Sequence, residues 1–199
     1  MDKKNNIWFI SDILFGDSYQ YPPDEESDKF RMNNSHEQLL IHWNDVVSKN
    51  DIVCLLGNIA INNLNYWYSR IQHLPGNKML WLGEKDKNRL KWYYKFGFSD
   101  VVKFGKSTLL RYSLGNILIS HIPMEESLLV KAGQTKFKGL ANKHRREYDA
   151  SSCILNIHGH TKGMTEETHR TFDASLKAWN PRLYLLDSIM EEVLNRDIK

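Results

Sequence analysis

Five polar side chains that could bind a metal ion or a phosphate each follow a short apolar run of the sequence. Asp12 follows IWFIS, Asn58 follows IVCLLG, and Glu84 follows KMLWLG. His121 follows NILIS, and His160 follows ILNIHG. Imidazole and carboxylate groups are common ligands of zinc and manganese, and an amide oxygen is a weaker one. The residue types therefore indicate a site for a metal ion or a phosphate at these positions.

Two lysines accompany these groups and suggest a different chemistry. Lys85 follows Glu84 directly, and Lys162 lies two residues after His160. A protonated lysine has no lone pair for a metal, but it is a compact cation that binds phosphate. Such lysines could bind a phosphate directly, whereas the alternative is a pair of solvated loop lysines.

The apolar runs are short and rich in β-branched and aromatic residues, which is typical of buried strands. The carboxyl ends of parallel strands meet at one edge of a sheet, and ligands of open α/β sheets bind there. The polar side chains after the runs are therefore expected to converge on one site. The predicted strands are Ile7–Ser11, Ile52–Leu56, Lys78–Leu82, Asn116–Ser120 and Ile154–His158.

Helical patterns separate these strands along the chain. Residues 35–49 begin with a predicted capping box, Ser35 and Gln38, and residues 62–74 and 86–98 are two further helical candidates. Residues 107–120 predict a hairpin, and the chain after residue 168 predicts two more strands and a short helix. The alternation predicts a layered α/β fold with some antiparallel strands.

Length and composition fit one domain spanning residues 1–199, with 41% hydrophobic residues and a formal charge of +3. The two cysteines, Cys54 and Cys153, lie in apolar runs and are expected to be buried reduced thiols. Asp12 interrupts the apolar N-terminal run, so neither a signal peptide nor a membrane span is predicted. A cytoplasmic protein without a membrane partner is expected.

A basic stretch lies between His121 and His160 in the sequence. Residues 131–146 contain six lysines and arginines and no acidic residue. Such a stretch could overhang the site and attract a nucleotide or a nucleic-acid backbone. A solvated charged loop is the alternative, and Phe137, as the single aromatic residue of the stretch, gives little support for base stacking.

The elements SDILFGD, LLGNIA, LGEKD, ISHIP and HGHTKG resemble, in order and spacing, the motifs of the calcineurin-like metallophosphoesterases, particularly the short phage and bacterial members. In that family the motifs D-x-H, G-D, G-N-H-D/E, H and G-H-x-H each close a strand of a two-sheet α/β sandwich flanked by helices. The resemblance covers nearly the whole chain and implies that fold. It also implies a centre of two metals that activates a hydroxide and hydrolyses a phosphoester.

The residues that match the family's first metal site are mostly altered. Leu14 stands at the histidine of D-x-H, Asn58 at the bridging aspartate, and Lys162 at the last histidine, so that Asp12 alone matches. Leucine cannot bind a metal, and a neutral amide is a poor bridge between two dications. A centre of two metals is therefore not expected.

The second metal site is altered less. His121 and His160 match the family, while Glu84 stands at the asparagine of G-N-H-D/E and Lys85 at the histidine that assists the leaving group. Glu84 adds a carboxylate to the two imidazoles, so the resemblance implies a single zinc or manganese site formed by Asn58, Glu84, His121 and His160. It also leads to a hypothesis without metal, in which Lys162 takes the first metal position and pairs with Asp12, and Lys85 stands where the family's histidine meets the phosphate. The phosphate-binding residues predicted in this way are Asp12, Lys85, His121, His160 and Lys162.

These changes lead to three hypotheses about function. The first is a catalytically impaired metallophosphoesterase-like protein, a pseudoenzyme, that binds a phosphorylated ligand such as a nucleotide without efficient hydrolysis. The second is a phosphoesterase with one metal, in which Glu84, His121 and His160 activate a water. The third is a scaffold that binds a protein partner, for example a host protein.

Overall fold

Two β-sheets form the centre of the protein, as the apolar runs predict. The computed structural model describes residues 5–17, 26–161, 168, 170–176 and 182–196, and for residues 26–35 it describes the backbone alone. The strands are β1 (Ile7–Ile10), β2 (Ile52–Leu55), β3 (Asn77–Trp81), β4 (Phe98–Val102), β5 (Ser107–Tyr112), β6 (Gly115–Ser120), β7 (Cys153–His158), β8 (Thr171–Asp173) and β9 (Tyr184–Leu185).

Both sheets are mixed. The first has the order β4-β3-β2-β1-β9, in which β1 to β4 are parallel and β9 is antiparallel to β1. The second has the order β5-β6-β7-β8, with an antiparallel β5–β6 pair followed by parallel pairs. The β5–β6 pair is the predicted hairpin, and its two-residue turn consists of Ser113 and Leu114, just before the predicted position.

Helices connect the parallel strands of the sheets, and the last helix of the chain packs in the core that the two sheets share. The helices are α1 (Glu26–Val46), α2 (Leu64–Gln72), α3 (Leu90–Tyr94), α4 (Glu126–Lys131), α5 (Lys138–Ala150) and α6 (Leu186–Arg196), with a short 3-10 helix at Thr135–Phe137. None of the described helices has the length and apolar composition that a bilayer span requires.

The alternating side chains of the strands form two cores. Trp8 and Ile10 pack with Trp43 of α1 and Tyr68 of α2 on the outer face of the first sheet. Phe9, which points to the opposite face, packs with residues of both sheets, including Ile117, Leu155 and Ile157. Because successive strand side chains point to opposite faces, one strand contributes to both cores. The predicted α/β fold with two sheets and flanking helices is confirmed.

The predicted start of the first long helix is wrong. The helix α1 begins at Glu26 and runs through Ser35, so Ser35 lies inside the helix and does not cap it. The preceding residues ESDKFRM include good helix formers, which allow the helix to extend further toward the N-terminus than its apolar stripe.

Candidate functional site

The polar side chains that follow the strands converge at one edge of the two sheets, as predicted. Nδ2 of Asn58 lies 2.9 Å from Oδ1 of Asp12 and 3.1 Å from Oε2 of Glu84. His121 and His160, from the other sheet, both contact Glu84. The loops after β1, β2, β3, β6 and β7 therefore meet at one place, which we call the strand-end site.

Three ligand atoms of the strand-end site form a small triangle. Oε2 of Glu84 lies 2.9 Å from Nε2 of His121 and 3.2 Å from Nδ1 of His160, and the two nitrogens are 3.3 Å apart. Bonds of about 2.0–2.1 Å to a tetrahedral zinc ion place neighbouring ligand atoms about 3.3 Å apart. The triangle therefore has the size of one face of a tetrahedral zinc site, and within the described ranges these residues form a group that could hold a metal.

The charges of the triangle favour a bound cation. Burial alone would raise the pKa of Glu84, but hydrogen bonds with His121 and His160 hold that pKa well below its usual range. Burial opposes protonation of His121, yet the hydrogen bond to Glu84 and the charge of Asp12 raise its pKa. Nδ1 of His121 donates to the carbonyl oxygen of Leu56, so that Nε2 faces the carboxylate. A proton and a metal ion would compete for the lone pair of Nε2.

Asp12 is buried and holds several loops together. Its Oδ2 accepts hydrogen bonds from Oγ of Ser11 at 2.7 Å, from the backbone N–H of His160 at 2.6 Å and from Oγ of Ser175 at 3.1 Å. Its Oδ1 accepts from Nδ2 of Asn58 at 2.9 Å. These contacts engage most of the hydrogen-bonding capacity of this buried carboxylate.

Gly159 allows the loop after β7 to pass directly over this carboxylate. A Cβ atom at Gly159 would lie 1.8 Å from Oγ of Ser11 and 2.8 Å from Oδ2 of Asp12. No side chain fits in that space. The glycine of the HGHTKG element is therefore required because the loop backbone passes close to the side chains of Ser11 and Asp12.

The amide of Asn58 points its nitrogen toward the strand-end site. Its Oδ1 accepts a hydrogen bond from the backbone N–H of Lys85 at 3.0 Å, which fixes the amide orientation. Nδ2 consequently faces the carboxylates of Asp12 and Glu84. In this orientation Asn58 donates hydrogen bonds, and it would have to turn its amide over to offer oxygen to a metal. Its role as a weak ligand stays a prediction.

Asp86 is the first residue of the helical candidate at residues 86–98, but in the structure it lies in the loop before the helix. The helix α3 begins only at Leu90, with no side-chain cap. Oδ2 of Asp86 instead accepts from the backbone N–H groups of Asn58 at 2.6 Å and Gly83 at 2.9 Å. This buried carboxylate thus connects the loops after β2 and β3, and burial raises its pKa although these hydrogen bonds oppose the shift.

The structure describes only one of the two lysines that were predicted to bind phosphate. Lys85 is half-buried beside Glu84, and its side chain has no ion-pair partner in the part of the chain that the structure describes. Lys162 lies outside the described residues, and so does the proposed Lys162–Asp12 pair. Phosphate binding by either lysine stays a prediction.

Two phenylalanines border the strand-end site, and only one of them, Phe137, lies in the basic stretch of residues 131–146. The rings of Phe137 and His160 are nearly perpendicular with 4.7 Å between their centroids, so the basic stretch does reach the site. Phe104, in the turn between β4 and β5, lies 6.2 Å from His121 and 5.8 Å from Phe137. No strand-end pattern points to Phe104. Nε2 of His160 is buried here without a hydrogen-bond partner among the described residues.

Comparison with known proteins identifies the fold. No known protein-family model matches the chain, and no curated protein matches its sequence. A protein of unknown function from Aquifex aeolicus has a similar structure, with a TM-score of 0.72 and 21% identity over 95% of this chain and 100% of that one. A structure described as a novel archaeal phosphodiesterase has a TM-score of 0.48 and 13% identity over 91% of this chain and 98% of that one. The first similarity supports the two-sheet α/β fold, and function has to be argued from the strand-end site.

Proposed function

We propose that this chain is a metallophosphoesterase-like protein that binds one zinc or manganese ion through Glu84, His121 and His160 and uses it to hold a phosphorylated ligand. The observation that carries the proposal is the triangle of ligand atoms with edges of 2.9 to 3.3 Å. A metal bound there would act as a Lewis acid toward a phosphoryl oxygen. The metallophosphoesterase part of the proposal is supported by the order of the sequence elements.

Efficient hydrolysis by two metals is not part of the proposal. The family mechanism needs ligands for a second ion and an anionic bridge, whereas the side chain of Leu14 is fully buried and Asn58 presents an amide N–H. Asp12 is the one carboxylate that matches the family's first metal site, and four hydrogen-bond contacts already engage it. These contacts favour ligand binding over turnover by the family's route.

A phosphoesterase with one metal is the second candidate. Catalytic zinc sites have three protein ligands and keep one position open for water or substrate. Glu84, His121 and His160 supply three ligand atoms on one face, which favours this arrangement over a closed structural site. Lys85, half-buried beside Glu84, would contribute a positive charge close to the phosphate.

The metal content of the purified protein tests the proposal. After dialysis against zinc or manganese, elemental analysis should find about one ion per chain. Glu84→Gln and His160→Ala should reduce the metal content to near zero. His73→Ala should leave the metal content unchanged, because His73 is an exposed histidine outside the site. Near zero in the unaltered protein would refute the metal site, and near two would show that the altered residues still support a second ion.

Ligand binding separates the remaining hypotheses. Inorganic phosphate should raise the melting temperature of the metal-loaded protein, because a ligand that binds only the native state stabilises it. Hydrolysis of an activated phosphodiester that disappears in His160→Ala would favour the enzyme. A scaffold would show neither effect, and that result would contradict the proposed function.

A further inference from the structure

Phe104 and Phe137 extend the strand-end site with an aromatic surface. Their rings contact the two histidines of the triangle, with centroid distances of 6.2 Å from Phe104 to His121 and 4.7 Å from Phe137 to His160. A phosphate held at the triangle would therefore have aromatic rings next to it. Apolar rings beside a charged site add nothing to phosphate binding, but they can contact another part of the same ligand.

Phe104 is the ring of this pair that remains accessible. It is 36% exposed, and its two aromatic neighbours contact it at tilted or perpendicular angles of 57° and 77°. Neither neighbour is stacked in parallel on Phe104. A planar group of a ligand could therefore stack on this ring without displacing either of these two side chains.

The turn that carries Phe104 is fixed to the rest of the protein. The backbone N–H of Lys106 donates to the carbonyl of Lys103 at 3.1 Å, and Nζ of Lys143 in α5 donates to the carbonyl of Gly105 at 3.1 Å. Gly105 also packs closely on Leu140 of α5. An exposed aromatic side chain on a fixed backbone loses little entropy when a ligand stacks on it.

Lysines surround this aromatic surface. Lys103 and Lys106 flank Phe104 in the turn, and Nζ of Lys136 lies 4.9 Å from the centroid of the Phe137 ring. All three are exposed, and in the described part of the chain none of them has an ion-pair partner. By contrast, Lys138 of the same basic stretch pairs with Glu126 at 2.6 Å. The unpaired lysines favour an anionic ligand, and the exposed Phe104 ring favours one with a planar group.

We infer that the phosphorylated ligand is a nucleotide whose phosphate binds at the triangle and whose base stacks on Phe104. This inference rests on the proposed function and adds the class of ligand and a residue that determines specificity. Every nucleobase has two aromatic faces, so each of the bases can stack on a protein ring. Phe104 would therefore distinguish nucleotides from sugar phosphates without selecting strongly among bases.

Calorimetric titration of the full-length, metal-loaded protein with AMP and with ribose 5-phosphate tests the inference. The two ligands share the sugar phosphate and differ in the base. We expect AMP to bind about fivefold more tightly or better, since stacking of one base contributes at least about that factor. Phe104→Ala should remove the difference and leave the affinity for ribose 5-phosphate unchanged, and Phe104→Trp should retain it. Tyr94→Ala is the matched control, because Tyr94 is 45% exposed and belongs to α3.

The possible results separate this inference from the proposed function. Equal affinities for AMP and ribose 5-phosphate in the unaltered protein would refute base stacking and leave phosphate binding intact. An equal loss for both ligands in Phe104→Ala would also refute it, because Phe104 would then act through His121. Failure of both ligands to bind the metal-loaded protein would refute the proposed function as well. Binding of a single-stranded oligonucleotide but not of AMP would replace the nucleotide with a nucleic acid.

Discussion

Replacing Gly159 with alanine should disrupt the strand-end site from its centre. The new Cβ atom would lie 1.8 Å from Oγ of Ser11, 2.6 Å from Cβ of Ser11 and 2.8 Å from Oδ2 of Asp12. None of these atoms can move away easily, because Oγ of Ser11 lies 2.7 Å from both Oδ2 of Asp12 and the carbonyl oxygen of Leu56 and shares its single hydrogen between them. The loop after β7 must therefore shift, and its hydrogen bond from His160 to Asp12 must lengthen or break.

The size of the effect follows from these two changes. Overpacking a buried site costs about 1–3 kcal/mol. Loss of a hydrogen bond to a buried charged group adds about 1.5–3 kcal/mol. We therefore expect Gly159→Ala to reduce the free energy of unfolding by about 3 kcal/mol or more. For a chain of 199 residues this corresponds to a decrease of about 6–12 °C in melting temperature.

Urea unfolding of Gly159→Ala, with Gly139→Ala as control, would measure this loss. A Cβ atom at Gly139, in α5, would have no neighbour within 4 Å. Alanine there should be neutral or stabilise the helix by up to about 1 kcal/mol. A loss below about 1 kcal/mol in Gly159→Ala would refute the argument, since it would mean that the loop can move without breaking the contacts of Asp12.

Three further predictions concern the parts of the protein around the site. Asp86→Ala should reduce the free energy of unfolding by about 2–3 kcal/mol and weaken metal binding, because it leaves the buried N–H groups of Asn58 and Gly83 without an acceptor. Urea unfolding and metal titration would measure the two effects. An unchanged metal affinity would contradict the idea that Asp86 positions the metal ligands. Asp51 accepts hydrogen bonds from Ser48, Trp8 and Asn6, which lower its pKa although burial alone would raise it. Because the pKa of Asp51 in the folded protein lies below the unfolded value of about 3.9, the stabilisation by Asp51 is present above about pH 3.9 and is lost as the pH falls. Asp51→Asn should therefore make the free energy of unfolding decline less steeply between about pH 5 and pH 3. An equally steep decline in the variant would contradict this prediction. Burial raises the pKa of Cys54 to about 12 and also raises that of Cys153, so neither thiol should react with a thiol reagent before unfolding.

The sequence was sufficient to predict the convergence of the strand-end groups. Buried parallel strands are continuous apolar runs, so their ends are visible as the point where polar residues begin. Asp12 and Glu84 in the first sheet and His121 and His160 in the second could therefore be placed at one edge. The division of the strands between two sheets could not be read from these runs, since each run has the same apolar character in either sheet.

Contacts between distant parts of the chain limited the prediction elsewhere. The direction of the Asn58 amide depends on one backbone N–H, that of Lys85, which sequence alone does not locate. Asp86 looked like a residue of the first helical turn, but its carboxylate binds two other loops because α3 begins later. Phe104 lies beside His121 only because the turn between the two sheets folds toward α5. Each of these features is a tertiary contact with no local signature.

Backbone strain is concentrated at the strand-end site. Among the described residues, six non-glycine residues have positive φ, and four of them, Asp12, Leu14, Asn58 and His160, belong to its loops, with φ between 51° and 71°. Each such conformation costs about 1 kcal/mol or more, and leucine has no polar side chain to compensate. Hydrogen bonds from Asp12 to Gly57 and from Leu14 to Asn58, both of 3.0 Å, hold the strained loops in place.

Strain of this kind bears on the choice between a ligand site and a scaffold. A protein that acted only through its outer surface would gain stability if glycine replaced the strained residues or if apolar residues replaced the largely buried Glu84–His121 pair. Strained loops and buried charges that converge on one point are instead the features of a preorganised site, in which stability is given up for fixed geometry. The combination therefore supports a ligand at the triangle of Glu84, His121 and His160 over a role that leaves this edge of the sheets unused.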